Sequence, residues 1–424
     1  MNPEIAAEPA YTRRMIPRGT RDFLPPEAAR KRALETALKE TFSRWGYGEV
    51  ITPTVEFFEC LSLGDGPELV EKMYRLFDRE GHTLALRPEV TTPIGRIVAT
   101  RLREEPLPIR LFYVANVFRY EEPQAGRQRE FWQAGVELVG ALGPDADAEI
   151  VALAVRALEA AGLRDFRVDI GQVGYVNGLL EDGNLGPGGR RALRRALLRR
   201  DYVALEEALS ASGLSPARRR LLAELPRLRG REEVVRKAAE LADNPRSRAA
   251  ADNLMAVYQA LAAHGVQDRV YVDLGMVKDF DYYTGMVLEG YTPELGFPVC
   301  TGGRYDNLIG RFGYDCPATG FVVGVERLMM ALDAQGSGLV PEDGMDRWLV
   351  GSTGAGRPQA LAEAASLREK GFAVEVDVMG RSVPELLEYA RARTVSRVVF
   401  WAGPDDRREF AAPGYGEVTK GVGL

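Results

Sequence analysis

An α+β fold is predicted: an antiparallel sheet with helices, a helical insertion, and a small α/β domain toward the C-terminal end. Three observations carry this. Two strand-like runs, 107–119 and 131–139, flank a polar, turn-rich loop and read as an antiparallel hairpin. Residues 186–263 are helical in pattern and rich in arginine, set between segments that read as strands. After residues 335–344 (QGSGLVPEDG), a linker by composition, strands and helices alternate as in a small parallel sheet with crossover helices.

The length of 424 residues exceeds what one domain normally holds. The expected division is a core over 1–333, with the helical insertion at about 186–263, a linker over 334–345 and a C-terminal domain over 346–424. Residues 26–44 read as an amphipathic helix, with Leu34, Leu38 and Phe42 at helical spacing, closed by Trp45-Gly46-Tyr47-Gly48. Residues 50–55 read as an edge strand, because Pro53 has no N–H for a ladder. A short strand over 83–86 leads into a helix over 92–103 with Ile94, Ile97, Val98 and Leu102 on one side. An alanine-rich helix is expected over 146–162, and strands over 166–170, 270–274, 286–290 and 298–301. Residues 320–331 read as a strand running into a helix. Beyond the linker, strands at 347–350, 373–378 and 395–401 alternate with helices at 359–370 and 382–393.

Composition narrows the function classes. Hydrophobic and charged fractions of 46% and 27% are those of an ordinary globular protein. A formal net charge of −6 argues against a general nucleic-acid binder, which needs a basic surface. Cys60, Cys300 and Cys316 have no C-x-x-C spacing and read as reduced thiols, neither a disulfide framework nor a metal site. The two histidines, His82 and His264, lack the neighbours of a triad or metal centre and read as surface positions. No signal-peptide pattern and no membrane-spanning apolar run is found, so a cytoplasmic location without membrane contact is expected. Gly354-Ala355-Gly356 follows a strand but lacks the third glycine of a dinucleotide fingerprint, and reads as a turn. Arg190, Arg191, Arg194, Arg195, Arg199 and Arg200 lie at helical spacing; a solvated helix face is expected, with contact to nucleic acid or an acidic subunit surface as the alternative.

Five stretches carry chemistry. In Leu86-Arg87-Pro88-Glu89-Val90-Thr91-Thr92 a carboxylate and hydroxyls stand at a strand-to-helix junction, suited either to a ligand ammonium or to helix capping. Alternation along 131–139 puts Gln133, Gly135 and Glu137 on one face, an arrangement for a small polar ligand with several donors. Arg119 and Arg127 flank the preceding loop and suit a phosphate or carboxylate. The others are Lys278-Asp279-Phe280-Asp281-Tyr282-Tyr283, Gly302-Gly303-Arg304-Tyr305-Asp306 and Gly324-Val325-Glu326-Arg327. Paired glycines permit close backbone approach to a ligand.

Taken together and in order, these stretches resemble histidyl-tRNA synthetase across residues 15–333. Pro53 looks like the motif 1 proline of class II enzymes, 118–137 like motif 2 and 324–327 like motif 3. The resemblance implies a class II aminoacyl-tRNA synthetase-like core that dimerises. It implies a histidine pocket in which Glu89, Thr91 and Gln133 hold the α-amino group, Glu137 and Tyr283 read the imidazole, and Tyr305 closes the site. Arg119, Arg127 and Arg327 match the family's ATP-handling arginines.

Departures from that pattern point away from catalysis. Lys278, followed by Asp279, stands where the synthetases have an arginine that serves adenylate formation, and a lysine point charge does not replace a planar fork. Glu122 replaces an arginine of the motif 2 loop, and the segment 346–424 resembles only the first part of an anticodon-binding domain. These features, with Arg119-Tyr120-Glu121 and the run 91–102, resemble the regulatory subunits of ATP phosphoribosyltransferase. That resemblance implies a non-catalytic, histidine-binding subunit needed for activity and feedback control of the first step of histidine biosynthesis. It implies as partners a short-form catalytic subunit and a second copy of this chain within a hetero-oligomer, with no cofactor and no tRNA. Arg119, Arg127, Lys278 and Arg327 then become a vestigial ATP or anion site. An active histidyl-tRNA synthetase and a non-catalytic tRNA-binding relative remain the alternatives.

Overall fold

The computed structural model of the chain describes residues 15–64, 66–124, 126–181, 185–277, 283–338, 346–411 and 416–417. Two units separate, Met1–Leu339 and Val340–Leu424. Of the expected linker 334–345, residues 339–345 lie outside the described residues.

The first unit contains strands β1 (Gly48–Glu49), β2 (Val55–Phe57), β3 (Arg75–Phe77), β4 (Thr83–Leu86), β5 (Ile109–Phe118), β6 (Glu130–Val139), β7 (Arg167–Gln172), β8 (Arg229–Gly230), β9 (Val270–Asp273), β10 (Met286–Tyr291), β11 (Cys300–Arg304) and β12 (Ala318–Gly324). Nine of these make one sheet in the order β1-β5-β6-β12-β11-β10-β7-β9-β8. It is antiparallel from β5 through β7, while β1 joins β5 and β9 joins β7 in parallel, so the sheet is mixed rather than purely antiparallel. The expected hairpin is present toward one edge, second and third in that order: β5 and β6 pair over ten residues, from Ile109↔Val139 to Phe118↔Glu130.

Alternation on β6 assigns its two faces. Ala134, Val136 and Leu138 enter the main core, and Val139 enters a second cluster with Tyr113, Val117 and Tyr305. On the first face lie the helices Pro25–Arg44 and Pro144–Ala160. The Phe42 ring packs 5.7 Å from Phe112 and 5.9 Å from Phe321, tying the opening helix to two strands. Against the second cluster packs the helix Thr91–Thr100, through Ile94, Val98 and Ala99. The strand expected over 50–55 is divided: residues 50–54 make no ladder, and β2 belongs to a small separate sheet, β2-β4-β3. Buried Arg87 explains the break, because its guanidinium donates to the carbonyls of Thr52 and Pro53 that a ladder would otherwise use. The strand expected over 298–301 runs instead from Cys300 to Arg304, with Gly302 fitting close against β12 and Gly303 against Met286 and Tyr283.

The arginine-rich insertion forms the helices Pro187–Arg199, Tyr202–Ser210, Pro216–Glu224, Glu232–Leu241 and Pro245–Ala263, interrupted by β8. His264 ends the last of these and stacks on Trp45, while His82 is exposed and pairs with Asp78.

In the second unit, β13 (Arg347–Ser352), β14 (Ala373–Val376), β15 (Arg397–Gly403), β16 (Asp406–Ala411) and β17 (Gly416–Glu417) form a sheet in the order β14-β13-β15-β16-β17. The expected parallel pairs β13–β14 and β13–β15 are present, and β16, for which no element was expected, returns antiparallel to β15. Among the described residues, no helix is long and apolar enough to cross a membrane.

Candidate functional site

A cleft of about 860 Å³ opens on the face of the sheet that carries Gln133 and Glu137. Its inner end is built by three elements. Strand β6 supplies Gln133 and Glu137, the start of the helix Thr91–Thr100 supplies Thr91 behind Glu89, and β11 hands over to Tyr305. Tyr305 owes its position to the residue before it. Arg304 is buried and ion-paired to fully buried Asp147 at 2.9 Å, with Asp306 at 3.0 Å and the Ala141 carbonyl at 3.1 Å.

Glu137 is 2% exposed and both of its oxygens accept hydrogen bonds, from the Thr91 hydroxyl at 2.7 Å and from the Tyr305 hydroxyl. Burial pushes its carboxyl up to about 8, with nearby Glu89 adding to the shift. Burial also raises Glu89, which receives the backbone N–H groups of Thr91 and Thr92 at 2.6 and 2.8 Å. The acid itself therefore caps this helix, where sequence reasoning considered a threonine for that task. The side-chain carbonyl oxygen of Gln133 is buried and accepts no hydrogen bond among the described residues. An acceptor of that kind costs free energy until a donor meets it. Together these groups offer a buried carboxyl group and a waiting acceptor to a small polar ligand.

Toward the mouth the charge changes sign. Arg119 donates to the Pro88 carbonyl at 2.9 Å, and Arg327 donates to the carbonyls of Gly126 and Pro298 at 2.9 and 3.1 Å. Burial, together with the neighbouring charges of Arg119 and Arg127, lowers Arg327. None of the three arginines makes an ion pair among the described residues. Glu121 also lines the cleft but is engaged by Lys72 at 3.1 Å.

The cleft brings together Glu89, Thr91, Gln133, Glu137, Tyr283 and Tyr305, and with them Arg119, Arg127 and Arg327. Lys278 and Asp279 lie outside the described residues. Glu122 is exposed and does not line the cleft. Sequence reasoning missed Tyr113, a buried residue of the inner wall that faces Gly135 across the β5–β6 ladder. A large residue opposite a glycine was the available signal, but it needs the register. The arginine helix, expected as a solvated face, brings Arg191, Arg194, Arg195 and Arg199 to this same cleft, whereas Arg190 turns to backbone carbonyls and Arg200 to Asp273. Among the described residues no cluster suits a metal ion.

Comparison with known proteins agrees with this architecture. The sequence model of the family described as Histidyl-tRNA synthetase matches residues 19–328. The chain is 47% identical over 390 residues to an ATP phosphoribosyltransferase regulatory subunit of Moorella thermoacetica, covering 92% of this chain and 98% of the relative. It is 46% identical to the protein of the same name from Symbiobacterium thermophilum, covering 92% and 97%. Among solved structures, an ATP phosphoribosyltransferase regulatory subunit/histidyl-tRNA synthetase from Bacillus halodurans superposes with a TM-score of 0.82 at 34% identity, covering 92% of this chain and 98% of the other. On its class II synthetase-like fold, the chain belongs to the family of ATP phosphoribosyltransferase regulatory subunits.

Proposed function

We propose that this chain binds L-histidine in the cleft and acts as the non-catalytic regulatory subunit of ATP phosphoribosyltransferase, giving feedback control to the first step of histidine biosynthesis. The observation that carries the reading is the buried carboxylate of Glu137 beside the unpaired Gln133 carbonyl, in a chain whose relatives are named as that subunit. In this reading Glu137 and Tyr283 receive the imidazole, Gln133 with Glu89 and Thr91 receives the α-amino group, and Tyr305 closes the site. A site that hydrogen-bonds an imidazole in this way rejects apolar amino acids, whose binding would leave its buried polar groups unpaired. Control means that histidine binds one quaternary state of the complex better than another. The catalytic residues of the transfer then belong to a short-form partner chain, and this chain works in the cytoplasm as a homodimer within a hetero-oligomer.

The test is reconstitution. Mixing the chain with a short-form catalytic subunit is expected to give phosphoribosyl-ATP synthesis that histidine inhibits. Glu137→Ala is expected to keep the synthesis and lose the inhibition. Inhibition that survives Glu137→Ala would move the histidine site elsewhere.

One observation favours a second reading. Arg119, Arg127 and Arg327 converge without an ion pair among the described residues, as a site for ATP requires, so histidine activation is the rival. Pyrophosphate exchange separates the two.

A further inference from the structure

The helix Pro187–Arg199 carries no acidic residue, and its arginines recur at 191, 194, 195 and 199. Its buried side is apolar, formed by Leu193, Ala196 and Leu197. The arginine side lines the cleft that also holds Arg119, Arg127 and Arg327. Like charges at helical neighbours destabilise a helix unless something compensates them. Arg191, Arg195 and Arg199 have no ion pair among the described residues.

The placement of this helix is held at both ends. Arg190 donates to the Leu185 carbonyl at 3.1 Å and to the Glu181 carbonyl at 3.4 Å. Arg200, in a left-handed backbone conformation at φ 52°, reaches the buried carboxylate of Asp273 on β9 at 3.1 Å. The arginine row is thus tied to the sheet whose β5–β6 loop and following helix Val325–Ala334 carry the other row.

We propose that the two arginine rows form one binding site for a small polyphosphate anion, with the insertion helix supplying half of its cations. The phosphate chain of a nucleotide and a free inorganic polyphosphate share this chemistry. Planar guanidinium groups from two elements suit successive phosphates, each offering oxygens for bidentate contacts. The inner pocket of Glu137 and Gln133 is not needed for it, so the proposal stands or falls apart from the histidine reading.

The experiment titrates inorganic triphosphate into the full-length chain by calorimetry at fixed ionic strength. Wild type is compared with Arg191→Glu/Arg195→Glu and with Arg191→Ala/Arg195→Ala. Both positions are exposed, and circular dichroism with a thermal midpoint checks that each variant folds. Saturable binding to wild type, weakened about tenfold or more by the charge reversal and less by the alanines, is the expected result. Absence of binding to wild type, or equal affinity in folded variants, would overturn the proposal. So would an RNA hairpin that binds through these arginines and that triphosphate fails to displace. With ATP as titrant, affinity well above that of triphosphate assigns the site to nucleotides, and equal affinity assigns it to the phosphate chain alone.

Discussion

Gly320 on β12 stands directly across the ladder from Glu137 on β6, and a methyl group at 320 would fall on the Glu137 carboxylate. The closeness of the two strands and the position of the acid are therefore one design. Any side chain at 320 displaces the carboxylate from the hydroxyls of Thr91 and Tyr305.

Gly320→Ala is accordingly expected to weaken histidine binding by about tenfold, the loss of about one hydrogen bond. Overpacking of this kind also costs about 1–3 kcal/mol of stability. Calorimetry and urea unfolding read the two effects, and unchanged histidine affinity would detach Glu137 from the ligand.

The raised carboxyl of Glu137 sets a pH dependence. Its folded value of about 8 lies above its ordinary 4.5, so the folded state binds the extra proton. The resulting stabilisation is full below the unfolded value and is lost as pH rises from about 4.5 to about 8, by up to about 1.4 kcal/mol per unit. Glu137→Gln is expected to flatten the fall in stability between pH 5 and 8 in urea titrations. Glu89 is raised in the same direction, so some slope persists. An identical slope in the variant would show that Glu137 does not titrate there.

Gln133 separates binding from stability. Replacing a buried, unpaired acceptor with an apolar group of similar size leaves stability unchanged or raises it by about 1 kcal/mol. Gln133→Leu is therefore expected to unfold at the same or higher urea concentration while losing histidine affinity. A marked loss of stability would mean that Gln133 serves the fold.

Arg304 and Asp147 form a buried pair behind Tyr305. Arg304→Met is expected to cost about 3–5 kcal/mol, because Asp147 is left charged and buried without a partner. Asp147→Leu added to it should restore much of the loss, and a double-mutant cycle in urea measures how much.

Much of the site could be read from the sequence because it sits on regular elements. Alternation placed Gln133 and Glu137 on one face of β6, and the structure finds both on the cleft. Tyr113 escaped because periodicity assigns a face only within a strand, whereas its importance comes from the cross-strand partner Gly135. The arginine helix was seen as a charged face, but helical spacing says nothing of what that face meets. No element was expected beyond residue 401, where glycine and charge dominate; pairing of β16 with β15 and the ion pair between Arg407 and Glu363 at 2.7 Å accommodate the charges of Asp406, Arg407 and Arg408. The break after Glu49 was hidden by Arg87, whose hydrogen bond to Thr52 comes from 35 residues away in sequence.

The most direct test of the central claim combines calorimetric histidine binding with histidine-dependent ATP–pyrophosphate exchange on the same purified sample. A sensor is expected to bind histidine and to show no exchange. Robust exchange would contradict the account and make this chain a synthetase.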